Sequence, residues 1–324
     1  MTPLKRRAHP GLATLLLFTG ATAHAASLVN HRVDVDGIER EYLLAKPASQ
    51  PSNPIPLVLV LHGHLGTASN ALGSGARPSP LSAWLAIADR ESLLVAALQG
   101  LKGADGRTGW HDCRGDARDN PVTDDVAFAT RVVGDLIATA NADPHRIYVM
   151  GMSNGAMMSQ RLAIEMQPTP AAIAAVAGTL ALNSDCAAPS APVSVLIIHG
   201  TRDPVVPFAG GPVGFGGRGH RGAVMSALAT RDFWLKVDGL SDAKPEEFTF
   251  PHRQGVESTR ATRLVYGGAA GPQVELLTVE GGGHVEPSLA FHYGALYERI
   301  VGAQNQDFES AEEAWRFFAP KRRD

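Results

Sequence analysis

Long hydrophobic runs are missing from this sequence of 324 residues. No apolar stretch reaches the roughly 18 residues that a membrane-spanning helix needs, so we expect no transmembrane segment. An excess of charge of one sign is also missing, because 29 Lys and Arg residues face 32 Asp and Glu residues. The resulting formal charge of -3 excludes the strongly basic surface that nucleic-acid-binding proteins present.

Aromatic residues and cysteines are scarce. Aromatic residues make up 6% of the chain, which argues against an extended surface on which sugars stack. The two cysteines have no CxxC spacing and are therefore a poor metal-binding signal. Apolar residues, by contrast, reach 44% and charged residues 19%, a balance typical of a folded globular protein.

The N-terminal residues contain the three segments of a secretory signal peptide in the expected order. A basic segment at residues 5–7 precedes a short apolar core at 11–22 and a small-residue cleavage signal that ends at Ala25. We therefore predict a signal peptide over residues 1–25, cleavage near Ala25, and a protein secreted to the periplasm or out of the cell. Residues 26–324 are then expected to form one domain.

Secretion would place the two cysteines in an oxidising compartment. In an oxidising environment, Cys113 and Cys186 are expected to form a disulfide. Two free buried thiols remain an alternative at this point.

Apolar runs alternate with amphipathic segments along the chain. Strands are predicted at residues 56–61, 93–99, 146–150, 171–177, 193–198 and 274–279. Helices are predicted at residues 80–90, 124–140, 154–166, 221–237 and 309–318, and a hairpin at 33–46 around Asp36-Gly37. This alternation predicts an α/β fold with a mostly parallel central sheet and helices on both faces.

The pentapeptide Gly151-Met152-Ser153-Asn154-Gly155 joins a predicted strand directly to a predicted helix. A G-x-S-x-G sequence in that context is typical of the nucleophile elbow of an α/β-hydrolase. The turn is crowded, so glycines stand where side chains would collide. The serine emerges beside a helix N-terminus, which favours developing negative charge. The pattern predicts Ser153 as the nucleophile, and a glycine-rich turn with an incidental serine is the alternative.

A serine hydroxyl needs a base, and the base needs an acid that orients it. In this fold the chain order is Ser, acid, His. Asp203 and His284 each follow the end of a predicted strand, and three glycines precede His284. Asp185 and Glu280 are rival acids, but Asp185 precedes its strand and Glu280 lies too close to the histidine along the chain. We predict Asp203 as the acid and His284 as the base.

An oxyanion needs two backbone N–H donors. Asn154, the residue after the nucleophile, is expected to supply one, and His64, in the loop after the first buried strand, the other. His62 and His64 also form an H-x-H pair that could bind zinc. We predict no metal, because no third ligand is near in sequence and the loop has a role without one.

Six motifs occur in a recognisable order across residues 55–290: LVLVLHGHLGTASN, GWHDCRGD, TDDVAFATRVVGDLI, RIYVMGMSNGAMMSQRLA, LIIHGTRDPVVPF and VEGGGHVEP. In them the chain resembles the secreted esterase family of poly(3-hydroxybutyrate) depolymerases, feruloyl esterases and acetylxylan esterases, most closely the depolymerase-like branch. The resemblance implies an α/β-hydrolase catalytic domain over residues 26–324 and serine esterase activity without cofactor. It implies the same three residues as the triad, and it places Trp110 beside the active-site cleft.

Two departures from the family pattern affect the substrate side. The family often continues its histidine with Thr-Trp-Pro, whereas this chain has Val285-Glu286-Pro287. The Trp-Asn of the family is Trp110-His111 here. Trp110, Met152 and Glu286 are therefore the candidate residues of the substrate pocket.

These observations predict a secreted, depolymerase-like serine esterase acting on hydroxyalkanoate polymer or oligomers. The predicted partner is this ester substrate alone, with no nucleic acid, membrane or obligate protein partner. Because the catalytic domain fills residues 26–324, we expect better action on soluble esters than on solid polymer. A feruloyl or acetylxylan esterase is the main alternative. A serine peptidase and a binding protein with an inactive site are further ones, although no triad residue is missing.

Overall fold

A ten-stranded sheet runs through the protein. The structure is a computed structural model that describes residues 27–49, 51–217, 221–254 and 258–323. The strands are β1 (Ser27–Val35), β2 (Ile38–Lys46), β3 (Ile55–Leu61), β4 (Leu94–Leu98), β5 (Leu101–Lys102), β6 (Thr108–Gly109), β7 (Ala142–Met152), β8 (Ala172–Val176), β9 (Ser194–Gly200), β10 (Gly211–Pro212), β11 (Ala223–Val224), β12 (Glu246–Thr249), β13 (Arg260–Gly267) and β14 (Gln273–Glu280). The α-helices are α1 (Ala68–Ala71), α2 (Trp84–Glu91), α3 (Asp125–Ala140), α4 (Asn154–Glu165), α5 (Ala227–Val237), α6 (Ala295–Val301) and α7 (Ser310–Phe318).

The strand order across the main sheet is β1-β2-β4-β3-β7-β8-β9-β14-β13-β12. The central strands, from β4 to β14 in this order, pair in parallel, and antiparallel strands complete both edges. This is the α/β-hydrolase-like fold that the alternation of strands and helices predicted. β5 with β6, and β10 with β11, form two small separate hairpins.

Apolar side chains of the central strands pack on both faces of the sheet. In β3 every residue is buried, and alternate side chains enter two different cores. Leu57 and Leu59 share a core with residues of α3, α4 and α5. Val58 and Val60 share the other core with residues of α1, α2 and α7. Burial on both faces explains why these strands have continuous apolar runs and not an alternating pattern.

Turn and cap chemistry places several element boundaries where the sequence predicts them. Asp36 and Gly37 have φ values of 52° and 80°, as a two-residue hairpin turn of type I′ requires. The Asp124 side chain accepts a hydrogen bond from Ala127 N and caps α3. Ser79 caps the segment predicted as a helix at 80–90, which is a 3₁₀ turn at Pro80–Ala83 that continues into α2.

One helix begins later than predicted. The predicted helix at residues 221–237 starts at Ala227, where the Ser226 hydroxyl accepts a hydrogen bond from Ala229 N. The residues before it extend as β11, and Val224 pairs with Gly211. Backbone pairing with a distant segment therefore replaces the first helical turns.

Strands β12 and β13 were missed by the sequence analysis. They are the last two strands on the antiparallel side of the sheet; β12 is exposed throughout and β13 is partly buried. β12 begins with two glutamates and β13 contains two arginines among its apolar residues, so neither has a long continuous apolar run. Arg263 in β13 forms an ion pair with the fully buried Glu275 of β14.

One prediction falls on a part of the chain that is not described. The predicted signal peptide over residues 1–25 lies outside the described residues. None of the helices in the described ranges has the length and hydrophobicity that a bilayer crossing requires.

Cys113 and Cys186 form a disulfide. It joins the loop after β6 to the loop after β8, and the two loops also pair through backbone bonds from Gly115 N to Asn183 O and from Asp185 N to Cys113 O. The bridge closes a separation of 73 residues. The cysteine pairing expected from the sequence is therefore confirmed.

We expect replacement of both cysteines by alanine to lower the free energy of unfolding by about 4 kcal/mol, because a long loop is then free in the unfolded chain. Guanidinium titration measures the change. As a control, reductant should destabilise the wild-type protein by a similar amount and leave the double variant unaffected. Equal stability of the two proteins would contradict the prediction.

Candidate active site

Ser153 occupies the sharp turn between β7 and α4. Its backbone has φ 57° and ψ -121°, a conformation that non-glycine residues rarely adopt. The Ser153 N–H donates to Val176 O of β8 at 2.8 Å, which ties the turn to the neighbouring strand. A side chain at Gly151 would collide with the Gly155 carbonyl, and one at Gly155 would collide with the Leu61 carbonyl. The two glycines therefore let the turn pack against the end of β3.

Ser153, His284 and Asp203 form a hydrogen-bonded chain. His284 Nε2 lies 2.8 Å from Ser153 Oγ, and His284 Nδ1 lies 2.7 Å from Asp203 Oδ2. The three residues come from loops that follow β7, β9 and β14. The structure thus brings together the three side chains predicted as nucleophile, acid and base.

The Asp203 carboxylate is buried and fully engaged. Its Oδ1 accepts hydrogen bonds from Val205 N and Val206 N, both at 2.8 Å. Burial by itself would raise the pKa of Asp203, but the contact with His284 and the hydrogen bond from Val206 N hold the pKa below its usual value. The group is therefore a carboxylate at neutral pH, as an orienting acid must be.

His284 reaches this position through a tight backbone crossing after β14. Gly281 has φ 73°, in the left-handed region that glycine adopts without strain. The His284 N–H donates to Val301 O at the end of α6, at 2.6 Å. A side chain at Gly283 would collide with that same carbonyl. The glycines before the histidine are thus required by close backbone contact.

His199 lies behind Asp203 and was not singled out in the sequence. It is almost fully buried at the end of β9, and its Nε2 donates to Val206 O at 2.9 Å and lies 3.6 Å from Asp203 Oδ2. Burial lowers the pKa of this imidazole, so it is neutral at physiological pH. In the sequence, its position on a buried strand four residues before Asp203 could have indicated that it lies near this carboxylate.

The two residues predicted as oxyanion donors line a cavity together with Ser153. Asn154 opens α4, where a backbone N–H has no carbonyl of its own helix within reach. His64 follows Gly63, whose Cα packs beside Ser153. The His64 imidazole is held by Asp105, with Nε2 and Oδ2 2.9 Å apart. Burial, followed by the charge of Arg221, lowers the pKa of His64.

Trp110 does not line the cleft as expected. It is 1% exposed, and its indole N–H donates to His62 O at 2.7 Å. The ring packs against the His62 ring, with centroids 4.9 Å apart. The prediction of a substrate-contacting tryptophan is corrected to a buried support beneath the loop that contains His64. The side chain sits in the core because its single donor reaches a backbone carbonyl there.

The Asn154 side chain joins this support to the nucleophile turn. Its Oδ1 accepts from Trp110 N at 2.7 Å, and its Nδ2 donates to Trp110 O and to Asp112 Oδ2. Asp112 in turn accepts hydrogen bonds from the guanidinium of Arg114. Asn154 and Asp112 are 3% and 2% exposed, so the network is buried. The residue after the nucleophile is thereby fixed through its side chain.

Two cavities adjoin Ser153. The first has a volume of about 180 Å³ and is lined by His62, Gly63, His64, Gly66, Thr67, Asn70, Ala71, Arg77, Ser79, Leu81, Met152, Ser153, His284, Glu286, Tyr293 and Tyr297. The second, of about 10 Å³, is lined by His64, Arg114, Asp119, Asn120, Ser153, Asn154, Met157, Val205, Val213 and Arg221. Met152 and Glu286 therefore lie in the first cavity, while Trp110 lies in neither.

The first cavity, which we call the acyl cavity, also contains residues that the sequence analysis missed. Tyr293 and Tyr297 line it with their rings 4.7 Å apart, and Arg77 lies at its exposed side. Glu286 faces Tyr293 across one wall. No motif marks these tyrosines, because they precede and begin a short, largely exposed helix.

The two histidines of the H-x-H pair both contact groups of the protein. His62 Nε2 accepts from Gly100 N at 3.0 Å, and His62 Nδ1 lies 2.8 Å from Gly63 O. Burial lowers the pKa of His62 to about 4. Within the described ranges, no three His, Cys, Asp or Glu residues are grouped so that they could hold a metal ion.

We expect Asn154→Ala to lower the free energy of unfolding by about 3 kcal/mol, because the buried N–H and C=O groups of Trp110 lose their side-chain partner and Asp112 loses one of its donors. Urea titration measures the loss. Asn183→Ala is the matched control: its exposed amide donates only to Asp116, so the change should stay within about 0.5 kcal/mol. Similar losses in both variants would show that the buried network contributes nothing.

Comparisons with known proteins show the family of this chain. A family model described as phospholipase/carboxylesterase matches residues 50–212, which include Ser153 and Asp203. A protein named putative esterase NocK, from Nocardia uniformis subsp. tsuyamanensis, is 32% identical over 298 residues, covering 89% of this chain and 82% of the relative. Feruloyl esterase B of Piromyces equi is 28% identical over 71% of this chain and 40% of its own length.

One further relative by sequence and one solved structure are also similar to this chain. Feruloyl esterase C of Emericella nidulans is 29% identical, covering 62% of this chain and 71% of the relative. The solved structure of an acetyl xylan esterase from Aspergillus awamori superposes with a TM-score of 0.55 at 15% identity, covering 90% of this chain and 99% of the other. That likeness shows the shared fold. The chain belongs to the phospholipase/carboxylesterase family of α/β-hydrolases and is an enzyme of the esterase type.

Proposed function

We propose that this esterase is a serine enzyme in which Ser153, His284 and Asp203 form the catalytic triad. The observation that carries the proposal is the unbroken hydrogen-bonded chain, with 2.8 Å from serine to histidine and 2.7 Å from histidine to aspartate. These distances lie within the range that a nucleophile and its base require.

The proposed reaction is acyl transfer in two steps. His284 Nε2 takes the proton of Ser153 Oγ as the oxygen attacks the ester carbonyl carbon. The tetrahedral intermediate collapses when His284 returns that proton to the leaving alcohol. Water then attacks the acyl-enzyme, with His284 again accepting a proton, and releases the acid and free Ser153. Asp203 orients the imidazole and stabilises its charged form.

The proposed oxyanion donors are the backbone N–H groups of Asn154 and His64. Asn154 stands at the N-terminus of the twelve-residue helix α4, whose dipole favours negative charge at that end. The side-chain contacts of Asn154 with Trp110 and Asp112 would hold its N–H in place before the substrate binds. Such preorganisation is what makes an oxyanion site effective.

For the substrate, the first candidate is a hydroxyalkanoate oligomer or polymer, which the resemblance to the depolymerase-like branch supports. The second is a feruloyl or acetylxylan ester. The feruloyl esterases among the relatives and the paired rings of Tyr293 and Tyr297 in the acyl cavity support it. For either substrate we propose secretion, which the predicted signal peptide and the disulfide support.

We expect Ser153→Ala to lower ester turnover by about four orders of magnitude, because the nucleophile is removed. The measurement is hydrolysis of p-nitrophenyl acetate, together with covalent labelling by a fluorophosphonate. Ser74→Ala, at an exposed serine outside both cavities, is the control and should keep full labelling and turnover. Retention of more than a few per cent of the activity by Ser153→Ala would refute the triad.

We expect soluble 3-hydroxybutyrate oligomer to be cleaved with a higher kcat/KM than methyl ferulate by the mature protein, residues 26–324. Ser153→Ala provides the blank for both substrates. Faster cleavage of methyl ferulate would contradict the hydroxyalkanoate assignment and favour the cell-wall ester.

A further inference from the structure

Glu286 and Tyr293 form a polar pair in the wall of the acyl cavity. Tyr293 O–H donates to Glu286 Oε2 at 3.0 Å, and both residues line the same cavity as Ser153 and His284. Glu286 is only two residues beyond the proposed catalytic base. The pair is therefore placed to contact a substrate group that occupies this cavity.

Gln304 fixes the backbone of both residues. Its Nε2 donates to Glu286 O at 2.9 Å, and its Oε1 accepts from Tyr293 N at 3.1 Å. Gln304 is 2% exposed and lies outside the cavity lining. A buried amide thus sets the distance between the carboxyl group and the phenol, and the pair is a built element with a defined geometry.

The environment of Glu286 is unusual for a carboxyl group. The residue is 3% exposed, and burial raises the pKa of its carboxyl, which hydrogen bonds and His284 offset only in part. Burying a carboxyl group costs free energy unless hydrogen bonds compensate. An ionised carboxylate has about four acceptor positions. Tyr293 O–H and the Glu286 backbone occupy part of them, which leaves capacity to accept a further hydrogen bond.

We propose that Glu286 and Tyr293 bind a hydroxyl group of the substrate in the acyl cavity, and so select esters whose acyl group has a free hydroxyl. The inference rests on the proposed function, because it places the acyl group beside Ser153. The substrate hydroxyl inserts between the two side chains: its O–H donates to a carboxyl oxygen of Glu286, and its oxygen accepts from the Tyr293 O–H. The apolar side chains of Met152 and Leu81 in the same wall contact the carbon skeleton.

The size of the cavity is compatible with this role. Its volume of about 180 Å³ resembles that of cavities that admit one aromatic ring. A 3-hydroxyacyl chain and a hydroxylated aromatic acid both have a hydroxyl and both are small enough. Hydroxyl recognition is the chemistry that they share.

The test compares matched pairs of soluble esters that differ in one hydroxyl. The aliphatic pair is ethyl 3-hydroxybutyrate and ethyl butyrate, and the aromatic pair is methyl ferulate and methyl 3,4-dimethoxycinnamate. We expect the wild-type protein to favour the hydroxylated member of at least one pair by about tenfold or more in kcat/KM, the effect of one hydrogen bond to a polar group. The pair that shows the preference identifies the source of the hydroxyl.

Tyr293→Phe and Glu286→Leu should bring that preference to within about twofold of unity, since each removes a partner of the hydroxyl. Glu286→Gln keeps an acceptor oxygen and should retain part of the preference. Tyr148→Phe is the matched control: its phenol donates to Lys321 O far from the cavities, so the preference should be unchanged. Should Glu286→Leu fail to fold, Tyr293→Phe tests the proposal alone.

A wild-type enzyme that does not distinguish the members of either pair would overturn the proposal. So would variants that lose activity on both members equally, which is the result expected of a merely structural pair. Hydrolysis of p-nitrophenyl acetate that disappears in Ser153→Ala shows in the same experiments that the triad operates. Failure of hydroxyl selection is thereby separated from failure of the proposed function.

Discussion

In-register pairing of parallel strands is the constraint on which the site depends. Four neighbouring strands of the sheet, β7, β8, β9 and β14, run in parallel, so their carboxyl ends lie on the same side of the sheet. Gly200 of β9 pairs with Val279 of β14, so the loops that hold Asp203 and His284 start side by side. Ser153 follows the carboxyl end of β7, which is two strands away from β9 in the sheet. A shift of one residue in either pairing would move the imidazole away from its two partners.

Support for the site comes from buried polar groups that have hydrogen-bond partners. The Asn154 side-chain amide forms hydrogen bonds with Trp110 and Asp112. One carboxylate oxygen of Asp203 accepts from two backbone N–H groups, and the other pairs with His284. Leaving any of these buried groups unpaired would cost about 1–3 kcal/mol. The disulfide at Cys113 holds the loop that contains Asp112. Conformational freedom around Ser153 is therefore limited on several sides.

The two sides of the candidate site are built differently. The residues of the proposed triad follow strands of the main sheet, whereas Tyr293 and Tyr297 lie before and within the short helix α6. Most of this region is exposed, and its position relative to the site depends on contacts such as Gln304 with Glu286. The residues of the proposed triad thus depend on the sheet, whereas the residues proposed to select the ester lie in a peripheral segment outside it.

The sequence by itself determined the α/β alternation, the turn at Ser153 and the chain order of Asp203 and His284. These features depend on local chemistry: continuous apolar strands, glycines at a crowded turn and caps such as Asp124. Other features depend on contacts between residues far apart in the chain, which local patterns do not encode. Because Val224 pairs with Gly211, helix α5 starts later than predicted. Because the indole packs in the core, Trp110 lies beneath the cleft. The path of the chain after β14 brings Tyr293 into contact with Glu286. Tertiary structure decided these, because burial and long-range hydrogen bonds outweigh local preference.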